Sequence, residues 1–379
     1  MAFGTKRLYL IYFNSFLCII FVRPNIMGEA IGFIQPVFWL LNLYLLNVQN
    51  SKKKNKDVFF LILLYSAIYW VYIIFVNSYA DINSNLWAIS SSLIAFAIPG
   101  YVILKTYEGA NIVILQRTFV GIIFLLCAGH FLQLFISFPC TLLNFSNFGS
   151  RPYNYTVCLS GSLSLGKRLT GIGGEPGIFA VQIVFAILIS FFLRLSIFTK
   201  ITVLITLVFG LISTYSSTGY VCFTILIIFY FFQKSKKYGL FGLLALIPLY
   251  YLYHQFFAQL LSRKASDSPL SITDRGLNIS PVEYFHNWSE YFFGNPDRLN
   301  KITSINLLTN SYYYGFFVII IYLLLIFQLY RHGPRRFDYQ ASLMLISFTT
   351  LFSQPPFLNT LWFLLIMLCA YPINLRINS

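Results

Sequence analysis

Apolar runs long enough to span a membrane recur along nearly the whole chain, separated by short polar segments. A helix needs about 17 to 25 mostly apolar residues to cross a hydrocarbon core of roughly 30 Å. The pattern therefore predicts an all-α polytopic membrane protein with about twelve transmembrane helices. The predicted spans are 8–22, 29–47, 58–76, 86–104, 118–138, 172–193, 201–214, 218–233, 239–254, 313–329, 339–353 and 357–371.

One apolar stretch, 201–232, is too long for a single ordinary crossing, because as one helix it would extend about 48 Å. Its middle reads STYSSTGY, a run of small hydroxylated residues and tyrosines that includes Tyr215 and ends on Gly219 and Tyr220. We expect a bend there, between two short helices that enter and leave from the cytoplasmic side. One long tilted helix, with its serines hydrogen-bonded to their own backbone, is the alternative.

Composition and charge placement support a single integral membrane domain over residues 1–379. Hydrophobic residues make up 58% of the chain and charged residues only 10%, which leaves no large soluble domain. The net charge of +15 would suggest a nucleic-acid partner in a soluble protein. Here, 17 of the 26 basic residues fall on segments predicted to be cytoplasmic, so they indicate topology with both termini inside and no nucleic-acid partner.

Two predicted outside loops are large enough to carry a function, 139–170 and 255–312. Cys140 and Cys158 share the first loop, where either a disulfide between them or two free thiols is compatible with the sequence. The other four cysteines fall in apolar runs and are expected to be small buried hydrophobes; they are Cys18, Cys127, Cys222 and Cys369.

The most unusual segment is RLTGIGGEPGIFA, residues 168–180, at the start of the predicted sixth span. Its four glycines disfavour regular helix by about 1 kcal/mol each, whereas Pro176 suits the first turn of a helix. Glu175 then lies at the helix start, either as a cap or facing a cavity beside Arg168 as a proton acceptor. A carboxylate in a membrane segment is a functional candidate, because insertion disfavours it by about 2.5 to 3.5 kcal/mol.

Basic residues in both outside loops suggest a substrate with phosphate groups, because guanidinium binds phosphate through paired hydrogen bonds. Ordinary solvated loop charge is the alternative. His254 and His286 have no partner at metal-ligand spacing, and no nucleotide-binding loop is present, so no metal or cofactor is predicted. The basic candidates are Arg151, Lys167, Arg168, Arg263, Arg275 and Arg298.

These features resemble the O-antigen polymerase (Wzy) family, of the bacterial O-antigen ligase and polymerase superfamily. The resemblance lies in RLTGIGGEPGIFA, with its arginine, glycine and Glu-Pro pattern at the start of a span, and in the serine-rich bend STYSSTG. The long outside loop before the last spans and NSYYYGFFVIII, where the helices resume, also match. The similarity is convincing over roughly 110–330, and elsewhere it concerns topology alone.

The resemblance implies a metal-independent, inverting glycosyltransferase of the bacterial inner membrane, with its active site facing the periplasm, in O-antigen or other surface polysaccharide biosynthesis. Its substrates would be undecaprenyl-pyrophosphate-linked oligosaccharides, and a separate membrane protein would regulate chain length. Arg168 would hold the pyrophosphate with help from Arg275 or Arg298, and Glu175 would orient or deprotonate the attacking hydroxyl. Arg151, Lys167, Arg263, His286 and Tyr215 would complete the substrate-binding set.

One departure from the superfamily pattern separates polymerase from ligase. The related ligases are expected to carry a histidine shortly before the late helices resume, where this chain has Asn310. This difference favours a polymerase, although a shifted alignment would place His286 in that role. A lipid-linked oligosaccharide flippase is the rival class, since broken helices are also a feature of transporters.

Overall fold

The described part of the protein is helical throughout. The computed structural model describes residues 110–133, 169, 176–234, 287–294, 314–332 and 337–352, with individual positions between 9 and 75 and at 307 and 311. No strand occurs among these residues, which confirms the all-α class for the described part of the chain. The helices are α1 Ala110–Gln133, α2 Pro176–Phe192, α3 Ile197–Ser213, α4 Ser217–Lys234, α5 Trp288–Phe293, α6 Phe317–His332 and α7 Phe337–Phe352.

Helix α2 is the centre of the bundle. It packs against α1, α3, α4 and α7, and every side chain from Phe179 to Ser190 is at most 4% exposed. A helix that is apolar on all sides is stable only where neighbours or lipid surround it. Polar Gln182 and Ser190 are buried within this apolar helix, and the Ser190 hydroxyl donates to the carbonyl of Ile187 at 2.7 Å.

Helix α1 runs alongside α3 in the same direction. Near its start, Arg117 Nη2 donates to the backbone carbonyl of Arg194, in the turn between α2 and α3, at 3.3 Å. Near its end, the Phe131 ring lies 5.1 Å from that of Phe209, centroid to centroid. The buried Cys127 packs so closely on Gly210 that a side chain at 210 would overlap its sulfur. Cys127 and Cys222 are both buried, as expected.

The start of α7 meets the end of α2. Phe337 lies 6.2 Å from Phe192 and stacks 5.5 Å from Phe229 of α4, measured between ring centroids. The Tyr339 hydroxyl donates to the carbonyl of Leu329 at 2.8 Å, which ties α7 to the last turn of α6.

The bundle therefore has two distinct ends. We call the first the basic end, because the described Lys and Arg residues lie there: Arg117, Arg194, Lys200, Lys234 and Arg331. The other, which we call the bend end, holds the first turn of α2 and the junction of α3 with α4. Helix α6 is about 24 Å long, so its first turn lies that distance from the basic end, toward the bend end.

Most of the described helices are too short to cross a bilayer on their own. Among described residues, Val113–Phe131 is the one helical segment long and apolar enough to cross a bilayer by length and composition. The other apolar helices are shorter, at Phe179–Phe192, Ile197–Ser213, Thr218–Phe231 and Phe317–His332. At 17 and 18 residues, α3 and α4 reach about 26 Å each, slightly less than a typical hydrocarbon core.

Two elements differ from the sequence-based expectation. The predicted fifth span starts at 118, whereas α1 already includes Ala110. Arg117 was expected to lie outside the span, but it lies within the helix and its side chain donates to the Arg194 carbonyl. Helix α5 lies inside the second predicted outside loop, where no helix was expected. Pro176 is the first described residue of α2 and is helical there, which is compatible with a proline in the first turn.

A substitution at the closest contact of α4 with α2 should loosen the bundle. A Cβ at Gly219 would overlap the Cβ of Ala180 and lie 3.0 Å from Leu211 Cδ1, so α4 must move away from α2. Because overpacking costs about 1–3 kcal/mol, we expect Gly219→Ala to lower the free energy of unfolding in detergent by that amount. Ala180→Gly added to Gly219→Ala should restore part of the loss, and strictly additive effects of the two changes would contradict the contact.

Candidate functional site

The chain breaks between α3 and α4, at the residues where the hydroxylated run predicts a bend. Helix α3 ends at Ser213, Thr214 remains helical as its C-cap, and α4 begins at Ser217. The Ser216 hydroxyl accepts the Gly219 backbone N–H at 3.4 Å, as an N-cap side chain does. The Tyr220 hydroxyl donates to the Ile212 carbonyl at 2.7 Å and ties the two helices together. One uninterrupted helix through this region is therefore excluded.

Tyr215 lies at the apex of this bend in a rare conformation. Its φ of 48° is in the left-handed region, which bulky residues seldom adopt. Its side chain is 39% exposed, whereas its neighbours Thr214 and Ser216 are buried. Strained residues of this kind cluster at binding and catalytic sites, so Tyr215 is a candidate site residue.

The bend is joined directly to the segment that carries the arginine-glycine pattern. The backbone N–H of Leu169 donates to the carbonyl of Ser213 at 3.0 Å, and Leu169 is completely buried. Leu169 immediately follows Arg168 in the chain and precedes the start of α2 by seven residues. One hydrogen bond thus joins two features that lie more than forty residues apart in the sequence.

The short loop helix α5 is docked on the chain that leads into α6. The Phe316 N–H donates to the carbonyl of Tyr291 at 2.8 Å, and the rings of these two residues stack. Gly315, with φ of 76°, has no room for a side chain, because a Cβ would overlap the carbonyl of Phe292. The Tyr72 hydroxyl is 2.6 Å from the Tyr314 carbonyl and 3.0 Å from the Phe292 carbonyl.

Most of the predicted site residues lie outside the described part of the chain. Tyr215 is described, and the structure places it at the bend. The flanking positions Leu169 and Asn287 are described, next to Arg168 and His286 in the chain. The residues outside the described ranges are Arg151, Lys167, Arg168, Glu175, Arg263, Arg275, His286 and Arg298, and with them Cys140 and Cys158.

The structure adds one polar residue at the bend end that sequence reasoning missed. His130, in the last turn of α1, is 2% exposed and lies 6.2 Å from the Phe209 ring, one turn before the bend. Within the described part of the chain its Nδ1 atom has no hydrogen-bond partner. An ionisable residue inside an apolar run is the signal that could have identified it.

Metal ligation finds no support among the described residues, where no three His, Cys, Asp or Glu side chains come together. The polar groups described at the junction of α3 with α4 are hydroxyls and backbone groups, and the His130 imidazole lies one turn away. These groups suit hydrogen bonding to a hydroxyl-rich ligand. In comparisons with known proteins, no protein-family model, no curated protein and no solved structure matches this chain.

Proposed function

We propose that the protein is a membrane-embedded polymerase of lipid-linked oligosaccharide repeat units, as the resemblance to the O-antigen polymerase family suggests. It would transfer a growing glycan from undecaprenyl pyrophosphate to the nonreducing end of another lipid-linked unit. In this proposal the chain crosses the bacterial inner membrane about twelve times, with both termini inside and both large loops in the periplasm.

The observation that carries the proposal is the hydrogen bond from Leu169 to Ser213. The polymerase reading requires the segment RLTGIGGEPG and the serine-rich bend to belong to one site, although they are distant in sequence. The bond joins them at the bend end, which the proposal assigns to the periplasmic side.

Surface chemistry supports a lipid environment for the bundle. Helices α3 and α6 carry large apolar side chains on exposed faces as well as on buried ones. Contiguous exposed apolar surface is rare on soluble proteins. The exposed apolar residues on these two helices include Ile197, Phe198, Ile201, Ile205, Ile212, Phe317, Ile320, Leu323, Leu324 and Phe327. The gathering of Lys and Arg at the opposite end from the bend agrees with a cytoplasmic position for that end.

The proposed reaction needs a cation, a base and a surface for sugar rings. Arg168 binds the pyrophosphate and offsets the negative charge that develops on the leaving oxygen. Glu175 accepts the proton of the acceptor hydroxyl while that oxygen bonds to the anomeric carbon, with inversion. The bond from the anomeric carbon to the pyrophosphate breaks, and undecaprenyl pyrophosphate leaves. Tyr215 packs against the glycan at the bend.

Deletion of the gene in host cells distinguishes this function from its alternatives. Loss of a polymerase leaves single repeat units on the finished glycolipid, whereas loss of a ligase leaves long polymer on the lipid carrier. Loss of a flippase leaves single units on the carrier at the cytoplasmic face. We expect the first pattern on a polysaccharide gel, restored by the wild-type gene, and either of the others would overturn the proposal.

Replacing Tyr215 should separate function from stability. Tyr215→Gly removes the side chain but relieves the left-handed strain, so we expect unchanged or slightly higher thermal stability in detergent. Polymer formation should fall about tenfold, the size of one good aromatic contact. Tyr220→Gly is not a suitable control, because Tyr220 bonds across the bend; Tyr330→Gly, at an exposed position of α6, is the comparison. Full activity in Tyr215→Gly would remove Tyr215 from the site.

A further inference from the structure

The turn between α2 and α3 carries charge and apolar surface side by side. Arg194 is exposed at this turn, and Ile197 and Phe198, in the first turn of α3, are 81% and 80% exposed. The helix α2 that precedes them is buried as far as Ser190, and its Phe191 adds a third apolar side chain that is partly exposed. Large exposed apolar side chains next to basic residues fit a partner that is both apolar and anionic.

Backbone contacts hold two further cations at the same turn. Lys200 Nζ donates to the carbonyl of Phe191 at 2.6 Å, and Arg117 reaches from α1 to the carbonyl of Arg194. Capping of the α2 C-terminus explains the Lys200 bond, and the Arg117 bond ties α1 to the turn. These two bonds leave two ammonium donors on Lys200 and the remaining guanidinium donors of Arg117 for another acceptor. Capping does not explain why Ile197 and Phe198 are exposed.

Among the described residues, the charged side chains near this turn are mostly basic. Residues 110–133 and 176–234, which form α1 to α4, contain no Asp or Glu. Asp338, in the first turn of α7, is the acidic residue among those described at the basic end. Basic clusters beside transmembrane helices on the cytoplasmic side are typical binding sites for anionic lipid headgroups.

We propose that Arg117, Arg194 and Lys200 form a binding site for the headgroup of an anionic phospholipid of the inner leaflet, whose acyl chains cover Ile197 and Phe198. This inference rests on the membrane placement of the proposed function, with the basic end in the cytoplasmic leaflet. It is independent of the glycan chemistry at the bend end. The bound lipid would hold the turn that follows the C-terminal end of the central helix α2.

Native mass spectrometry of the purified full-length protein, titrated with phosphatidylglycerol or phosphatidylcholine, tests the site. Wild-type protein should bind phosphatidylglycerol more tightly than phosphatidylcholine. Arg194→Gln should weaken phosphatidylglycerol binding about fivefold, and Arg194→Gln with Lys200→Gln about 25-fold, with phosphatidylcholine binding unchanged. Arg331→Gln is the matched control at an exposed position in the last turn of α6, outside the turn between α2 and α3, and we expect its effect to stay within about twofold because salt weakens interactions between exposed charges that are not in contact.

Two results would overturn the lipid site. One is equal binding of the two lipids by the wild-type protein, and the other is a loss in Arg331→Gln as large as that in Arg194→Gln, which would indicate diffuse charge. If the double variant does not fold, the single Arg194→Gln variant decides the outcome. The lipid titration contains no glycan, so its outcome does not depend on the polymerase proposal. Selective phosphatidylglycerol binding by a protein that forms no polymer would support the lipid site and contradict the proposed function.

Discussion

Arg168→Ala should abolish polymer while protein level and membrane insertion stay normal. In the proposed reaction this arginine offsets charge that develops on the leaving pyrophosphate, and removing one such preorganised group typically lowers the rate about 100- to 1000-fold. The polysaccharide ladder of cells that carry the variant is the measurement. Arg168→Lys should recover only part of the product, because an ammonium cannot form the paired hydrogen bonds of a guanidinium.

The matched control is Arg331→Ala, which removes an arginine from the basic end of the bundle. We expect this variant to make the wild-type ladder. An unchanged ladder in Arg168→Ala, at equal protein level, would remove Arg168 from the reaction and would leave the polymerase proposal without its cation.

Gly315→Ala should detach the loop helix α5 from the start of α6. Gly315 has φ of 76°, which costs an L residue about 1–3 kcal/mol, and the added methyl group would overlap the Phe292 carbonyl. The overlapping atoms belong to the backbone, so no side chain can rotate away. We expect a loss of about 3 kcal/mol or more in the free energy of unfolding and faster proteolysis within 287–294.

Gly121→Ala is the control for this variant, because a Cβ at Gly121 meets no atom within 4 Å. In a helix interior that change should be neutral or stabilise by up to about 1 kcal/mol. Wild-type stability and protease resistance in Gly315→Ala would show that the α5 contact does not hold in solution.

Local chemistry made the bend predictable from sequence. Small hydroxylated side chains compete for backbone hydrogen bonds and form caps, so STYSSTGY indicated a break, and Ser216 forms such a cap. Pro176 suits the first turn of a helix in the same way, and α2 is helical from this residue onward. The all-α class followed from the length and frequency of the apolar runs.

Long-range contacts were not predictable from one sequence. Nothing near Leu169 indicates that its N–H pairs with Ser213, because that pairing depends on how α2 packs against α3. Helix α5 has six residues and no side-chain cap bond, so local signals are weak, and contacts with Tyr72, Gly315 and Phe316 hold it in place. His130 was missed because the apolar run around it indicated only a span.

Candidate residues in the two loops, such as Arg275, Arg298 and His286, lie outside the described residues, so their assignment to the site stays a prediction. The same holds for the twelve spans and the disulfide between Cys140 and Cys158. The described bundle shows two ends to which these predictions refer. Leu169 and Tyr215 lie at the bend end, and Arg194 and Lys200 lie at the basic end.

Reconstitution of the purified protein in liposomes with lipid-linked repeat units, without nucleotide or metal, tests the proposed function most directly. The Arg168→Ala protein serves as the matched negative sample. We predict that the wild-type protein forms lipid-linked multimers of the repeat unit and releases undecaprenyl pyrophosphate, and that the variant does neither. Repeat units that stay single, or that only move across the bilayer, would contradict the proposal.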